Sequence, residues 1–200
     1  HTFLGLTYLS RGLIMMMSMI EARPIDVEVD GACLRAQIHL PEGFAEARVP
    51  AVLVSRGVHV IHEEAGGLFE DIARLLTESG FAVITYEPRC ADLILDEFHA
   101  HTAAQDVADA MAVLTWMMHA PEINSSRIGL VGYSLGAIAM AIIARRISSV
   151  AAVCLLAPAT AGYVIDHLVR ANGNPAPISA GVLPASYAPS LEGLDSPRDL

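Results

Sequence analysis

The stretch IGLVGYSLGAIAMA, residues 128–141, decides the fold that this sequence predicts. It places Ser134 between two glycines, directly after a short apolar run and directly before a longer one. A short continuous apolar run is typical of a strand buried on both faces of a parallel sheet, and a longer run favours a buried helix. The stretch therefore predicts a strand, a sharp turn at Ser134 and a helix.

Residues 132–136 match the pattern G-x-S-x-G, in which a strand-to-helix turn raises a serine as a nucleophile. Such a turn strains the serine backbone, and Gly132 and Gly136 remove side chains that would collide with the neighbouring strand and helix. The N–H of Leu135 would point at the negative charge that develops on an attacked carbonyl oxygen. The alternative is an ordinary glycine turn in which Ser134 only caps the helix.

The rest of the chain alternates strand-like and helix-like patterns. Asp30-Gly31 within alternating residues 25–40 predicts a hairpin. Buried strands are predicted at AVLVS (51–55), FAVITY (81–86) and AAVCLLAPA (151–159), and helices at residues 66–80 and 103–120. The apolar residues at helical spacing are Leu68, Ile72, Leu75 and Leu76 in the first helix, and Val107, Met111, Leu114 and Met118 in the second. We expect an α/β fold, with a mostly parallel sheet, helices on both faces and an N-terminal antiparallel hairpin.

Composition narrows the classes of function. The chain has 200 residues, is 54% hydrophobic and carries a formal net charge of -10. These values exclude a disordered chain and argue against nucleic acid or an anionic membrane as partner. Cys33, Cys90 and Cys154 form no CxxC pair and are expected as reduced thiols in a cytoplasmic protein. Residues 1–18 are apolar around Arg11, do not resemble a signal peptide or a membrane span, and are expected to lie outside the folded domain.

The region from about residue 49 to residue 158 resembles the α/β-hydrolase superfamily. More narrowly, it is similar to the bacterial esterase group that includes cinnamoyl and feruloyl esterases and dienelactone hydrolase-like proteins. The matching pieces are AVLVSRG, FEDIARLLTESGFAVITYEPR, DVADAMAVLTWM, RIGLVGYSLGAIAM and VCLLAPA. The resemblance implies a serine hydrolase that forms an acyl-enzyme on Ser134, takes a small-molecule ester or thioester and needs no cofactor.

Two loops depart from the family pattern. The family has His-Gly after the first buried strand, and the N–H of the next residue is the second oxyanion donor. This chain has Arg56-Gly57 there, so Val58 is the candidate donor that the resemblance implies. After the next buried strand the family has Asp-x-Arg-Gly-x-Gly, and in residues 87–92 only Arg89 matches. The loop over the site is therefore expected to be built differently.

The acid and the base that should activate the serine are not evident. In the superfamily they follow the nucleophile in the order Asp or Glu, then His. After Ser134 the only histidine is His167, beside Asp166, in a segment (160–190) that resembles a cap. Residues 187–200 resemble the helix that leads into the strand carrying the acid, and Asp195 and Asp199 precede that strand. We therefore expect residues 19–200 to form an incomplete hydrolase domain, without the last strands, the acid and the base.

Loop histidines offer a second account of the base. His59, His62, His99 and His101 are predicted at the sheet edge that carries Ser134. One of them could replace the family base, and the run at 59–64 could suggest a metal site, although it matches no zinc motif. We expect solvated histidines and no metal site. The sequence thus predicts an esterase-type serine hydrolase, with a non-catalytic binding protein or inactive fragment, or a peptidase of the same fold, as alternatives.

Overall fold

A computed structural model describes residues 22–44, 48–56, 67–89, 101–159, 187–192 and 194. These residues form a six-stranded sheet and four helices. In chain order the elements are β1 (Ala22–Val29), β2 (Ala32–His39), β3 (Val49–Ser55), α1 (Leu68–Glu78), β4 (Ala82–Tyr86), α2 (Ala103–His119), β5 (Ile123–Tyr133), α3 (Gly136–Arg146), β6 (Val150–Leu156) and α4 (Tyr187–Glu192).

The sheet has the strand order β1-β2-β4-β3-β5-β6. Strands β1 and β2 form the predicted hairpin, and its turn residues Asp30 and Gly31 both have positive φ, 48° and 80°. Strand β2 pairs antiparallel with β4, whereas β4, β3, β5 and β6 are mutually parallel. The predicted α/β fold is confirmed, and its carboxyl edge gathers the ends of β3, β4, β5 and β6.

Helices cover both faces of the central strands. Helices α2 and α3 pack together and against the larger hydrophobic core. Helix α1 covers the opposite face, where Phe69 and Ala73 pack on Val52, Val54 and Val83. Strands β3 and β4 are therefore buried on both faces, which explains their continuous apolar sequences.

The helices form where predicted, but the residues that they bury differ in part. In α1 the buried residues are Phe69, Ala73 and Thr77, while Leu68 and Leu75 are 36% and 53% exposed. In α2, Met118 is 38% exposed, whereas Val107 and Leu114 are buried as the pattern predicted. In α1 the apolar residues form one broad face, and packing on the sheet buries only part of it. Helix α2 is apolar around more of its circumference, so the pattern alone did not determine which residues are buried.

Strand β6 forms as predicted, but it is not buried. Residues 151–154 are exposed, Val153 by 45%. The strand pairs with β5 along one edge, and no described strand pairs with its other edge. An apolar sequence predicts burial only when elements cover the strand, and the described residues leave much of β6 uncovered.

Several predictions concern residues outside the described part of the chain. These are residues 1–18, Gly57, Val58, His59, His62, Cys90, His99, most of the cap-like segment with Asp166 and His167, and Asp195 and Asp199. Within the described residues no helix is long and apolar enough to cross a membrane. The same residues contain no group of three or more His, Cys, Asp or Glu side chains that could hold a metal ion.

Candidate active site

Ser134 lies on a turn between the end of β5 and the start of α3. Its φ of 54° is in the left-handed region, which is strained for a residue with a side chain. The Ser134 N–H donates to the carbonyl of Leu156 over 3.1 Å, and the Ser134 carbonyl accepts from the N–H of Ala159 over 3.1 Å. The end of β6 and the residues just after it therefore hold Ser134 through both its backbone N–H and its carbonyl.

The two glycines of the turn lie against backbone that a side chain would strike. A Cβ on Gly132 would come 2.6 Å from the Cα of Ala137. A Cβ on Gly136 would come 2.6 Å from the carbonyl oxygen of Ser55 and closer still to that of Arg56. The turn is thus compressed between the end of β3 and the first residues of α3, and only glycine fits at either position.

Leu135 joins Ser134 to α3. Its side chain is 7% exposed, and its N–H belongs to the helix start, where amide groups have no partner inside the helix. None of the backbone hydrogen bonds between described loop and cap residues uses this N–H. The positive end of the helix dipole lies at the same place, so a negative charge close to Ser134 would be stabilised.

Arg56 lies at the end of β3, beside the turn. Its guanidinium is 4.9 Å from the ring centroid of Phe69, and its Nη2 is 3.8 Å from Oε1 of Glu70. Phe69 packs edge-to-face on Tyr133, with centroids 5.6 Å apart and an interplanar angle of 83°. Burial lowers the pKa of Arg56, and the carboxylates of Glu70 and Glu87 partly offset this effect. The guanidinium remains charged at neutral pH.

A groove of about 360 Å³ extends from Arg56 along β2 and β4. Its polar lining comes from Asp26, Arg35, Gln37, Arg56, Thr85, Tyr86 and Glu87. The hydroxyl of Tyr86, one of the lining residues, is 2.9 Å from the hydroxyl of Ser55, and this hydrogen bond joins the ends of β3 and β4. Opposite charges line the groove, and Arg35 and Glu87 form an ion pair of 2.7 Å.

Arg89, which the family resemblance singled out, fixes the end of β4. It donates to the Asp109 carboxylate from its backbone N–H over 2.9 Å and from Nε over 2.7 Å, and Nη2 reaches Asp30 over 3.1 Å. The Asp109 side chain is fully buried. Burial raises the pKa of the Asp109 carboxyl, and the hydrogen bonds from Arg89 partly counter that rise. Arg89 thus joins β4, α2 and the hairpin.

His101 is not the solvated loop residue that was expected. It is 1% exposed, and its Nε2 lies 2.7 Å from Oδ1 of Asp106. The hydroxyl of Tyr187 donates to the other carboxylate oxygen over 2.6 Å, and Ser190 accepts from the Ala103 N–H over 2.8 Å. The prediction was wrong because a histidine just before a helix can turn inward when a carboxylate in the first turn accepts a hydrogen bond from its ring.

Sequence reasoning missed both buried acids of α2. Asp106 and Asp109 lie three residues apart in an otherwise apolar stretch, so they share one face of the helix. A carboxylate on a buried face needs a hydrogen-bond or charge partner. This spacing was therefore the signal in the sequence that could have indicated that both carboxylates are paired inside the protein. The site as described brings together Ser134, Leu135, Gly132, Gly136 and Arg56, while Gly57 and Val58 lie outside the described residues.

The strand order, the helices on both faces and the strand-turn-helix unit at Ser134 define an α/β-hydrolase fold. The sequence model of X-Pro dipeptidyl-peptidase (S15 family) matches residues 30–186, well over half of the chain. The chain therefore belongs to this family, which is a member of the α/β-hydrolase clan.

Individual relatives are distant. An uncharacterized protein of Pseudomonas aeruginosa is 26% identical over 104 residues, which are 51% of this chain and 27% of that protein. Est1E from Butyrivibrio proteoclasticus with bound ferulic acid superposes with a TM-score of 0.63 at 19% identity, over 76% of this chain and 59% of that one. Dienelactone hydrolase from Anabaena variabilis superposes with a TM-score of 0.56 at 19% identity, over 69% of this chain and 63% of that one. The chain thus spans about a quarter of the curated relative and about three fifths of these two solved structures.

Proposed function

We propose that this protein is a serine hydrolase that cleaves a carboxylic ester or thioester through an acyl-enzyme on Ser134. The Ser134 hydroxyl gives its proton to a base, and its oxygen bonds to the carbonyl carbon of the substrate. The bond to the leaving alcohol or thiol breaks, and the leaving group takes up the proton. Water then hydrolyses the acyl-serine and releases the acid.

The strained backbone of Ser134 is the observation that carries this proposal. A φ of 54° at a serine costs free energy, and an ordinary capping serine would not need it. The turn lies at the carboxyl edge of parallel strands, where open α/β sheets bind ligands. These features support a nucleophile over a helix cap.

Oxyanion stabilisation is assigned to two backbone amides. Leu135 offers an N–H at the start of α3, together with the positive end of the helix dipole. Val58 is the second donor in the proposal, because it follows the matching glycine of the family pattern. No cofactor is required by the acyl-enzyme route.

The proposal does not use His101 as the base. Its Nε2 is hydrogen-bonded to Asp106, and the ring is packed in the interior beside Tyr187. A base must reach the serine proton within hydrogen-bonding distance or through one water. We assign neither the acid nor the base to a described residue.

A peptidase of the same fold is the second candidate function. The match of residues 30–186 to X-Pro dipeptidyl-peptidase favours it. An amide and an ester pass through the same tetrahedral intermediate, so the same serine and the same amides serve both reactions. The two candidates differ in the substrate and not in the role of Ser134.

A fluorophosphonate probe tests the nucleophile in the full-length protein. We expect labelling of Ser134, identified by peptide mass spectrometry, and its loss in Ser134→Ala. Ser126→Ala is the matched control, because Ser126 is an exposed serine bonded to Asn124 in the same strand. Equal labelling of wild type and Ser134→Ala, or none in either, would refute the proposal, and the second result would favour a non-catalytic binding protein.

Substrate preference is tested with p-nitrophenyl butyrate and an X-Pro p-nitroanilide. We expect a higher kcat/KM on the ester, and a fall on the order of 10³-fold or more in Ser134→Ala. A higher kcat/KM on the X-Pro amide, lost in the same variant, would replace the esterase by the peptidase.

A further inference from the structure

We propose that Arg56 is a positioning residue for the Ser134 turn, which it holds from both sides. On one side its guanidinium acts through Phe69 on Tyr133, the residue before the serine. On the other side its backbone carbonyl lies against Gly136. The inference rests on the proposed role of Ser134 and adds a residue to that site.

The first contact is a stack of three side chains. The Arg56 guanidinium is 4.9 Å from the centroid of Phe69, and Phe69 meets Tyr133 edge-to-face at 5.6 Å. Phe69 is 1% exposed, and the Arg56 side chain is 11% exposed, so neither is free to leave the stack. A planar guanidinium can lie on a ring in a way that a lysine ammonium cannot.

The second contact is made by the backbone. Ser55 pairs with Gly132 in the parallel ladder of β3 and β5, and the carbonyls of Ser55 and Arg56 close on Gly136. The position of Arg56 is therefore coupled to the residue two before Ser134 and to the residue two after it. A displacement of Arg56 would move both sides of the strained turn.

The ion pair with Glu70 contributes less than the stack. Its closest nitrogen–oxygen distance is 3.8 Å, and the Glu70 side chain is 53% exposed. Exposed pairs at such distances contribute little. Of the two side-chain contacts described for Arg56, we therefore expect the stack with Phe69 to contribute more to holding the turn, and removing the Glu70 charge should have a small effect.

A loosened turn should slow the chemical step more than it weakens substrate binding. The Ser134 hydroxyl must lie within attack distance of the carbonyl carbon, and an error of about 1 Å can cost on the order of 10²-fold in rate. The stack is proposed to act on the position of this hydroxyl. The expected signature is a lower kcat with an unchanged KM.

The test compares Arg56→Lys, Arg56→Met and Glu70→Gln in the full-length protein. We expect both Arg56 variants to lower kcat on p-nitrophenyl butyrate and the rate of fluorophosphonate labelling by roughly 10- to 100-fold, with KM within about twofold. Glu70→Gln should stay within about twofold of wild type in both rates. Arg74→Met is the control, since Arg74 lies on α1 with Phe69 and Glu70 but forms its ion pairs within the described residues with exposed Asp71 and Glu78.

Wild-type kinetics in Arg56→Lys or Arg56→Met would overturn the inference while leaving Ser134 labelled and its role intact. Absence of labelling in wild type would instead overturn the proposed function, and the inference with it. If the Arg56 variants do not fold, Phe69→Leu removes the ring under the guanidinium. That variant should show the same loss of kcat, and an unchanged kcat there would refute the inference.

Discussion

The Ser134 turn shows how a single strained residue depends on its surroundings. A left-handed φ on serine costs about 1–3 kcal/mol. The turn is held by the hydrogen bond that the Ser134 N–H donates to Leu156, by the one that the Ser134 carbonyl accepts from Ala159, and by the contact of Gly136 with the end of β3. These backbone contacts restrict which residues can stand in the turn, and they act together with the proposed side-chain stack of Arg56, Phe69 and Tyr133.

We predict that Gly136→Ala destabilises the protein by about 1–3 kcal/mol, because the new Cβ overlaps fixed carbonyl oxygens. The oxygens belong to Ser55 and Arg56 at the end of β3, and neither can move without disturbing the ladder with β5. Labelling of Ser134 by the fluorophosphonate should fall as well. Urea unfolding at neutral pH measures the free energy of unfolding. The rate of fluorophosphonate labelling measures the effect on Ser134.

Gly129→Ala is the matched control, since it makes the same change in β5, the strand that leads into the turn. A Cβ at Gly129 would lie 3.7 Å from the nearest atom, the carbonyl oxygen of Ala152, at ordinary contact distance. Gly129→Ala should therefore change the free energy of unfolding by much less than Gly136→Ala does. Equal effects of the two substitutions would mean that the turn is not compressed as described.

At the scale of elements, a buried ion pair joins three parts of the fold. Arg89 at the end of β4 binds Asp109 of α2 and Asp30 of the hairpin turn. Asp109 is fully buried, so its charge depends on Arg89. Removing one partner of such a pair leaves an uncompensated buried charge.

We predict that Arg89→Met is more destabilising at neutral pH than near pH 4. Burial already raises the pKa of Asp109, and loss of Arg89 removes the hydrogen bonds and charge that oppose this rise. In the variant the folded state keeps the proton to higher pH than the unfolded state, whose pKa is about 3.9. Its stability therefore falls as pH rises above that value, to a loss of about 3–5 kcal/mol at neutral pH.

Urea unfolding of wild type and variant at pH 4.5 and 7.5 measures this difference. The double variant Arg89→Met/Asp109→Asn is the control, because an amide cannot ionise. Its stability relative to wild type should lose most of the pH dependence. A stability gap for Arg89→Met that is the same at both pH values would contradict the prediction.

Local patterns predicted most elements of this fold and the centre of its candidate site. Strands β3 and β4 and helix α3 are apolar enough to be read directly, and Gly132-Tyr133-Ser134-Leu135-Gly136 carries the turn in its own residues. Contacts between distant residues were not readable. The bond from Tyr187 to Asp106 joins residues 81 positions apart, and the burial of His101 depends on it in part.

At the scale of the whole molecule, the exposed strand β6 is the feature that we expect to promote association between chains. Four consecutive residues from Ala151 to Cys154 are exposed, and one edge of the strand has no partner among the described strands. Apolar edge strands template pairing with other chains. A net charge of -10 opposes association, but charge repulsion is screened at physiological salt beyond about 8 Å.

We predict that the 200-residue chain associates at micromolar concentration and that Val153→Lys reduces the association. Val153 is 45% exposed, so the lysine can reach water while its charge disfavours strand pairing. Sedimentation velocity over a range of concentrations measures the effect, and the midpoint of thermal unfolding checks that the fold is unchanged. A monodisperse wild-type monomer would contradict the prediction.

The hydrogen bonds that fix Ser134 also set an order of events during synthesis. The partners of its backbone, Leu156 and Ala159, are translated 22 and 25 residues later. At about 5–20 residues per second, the serine waits on the order of one to five seconds before these partners exist. Until then the left-handed turn lacks the contacts that hold it, so a nascent chain can fix the strained backbone of Ser134 only after the following strand has been made.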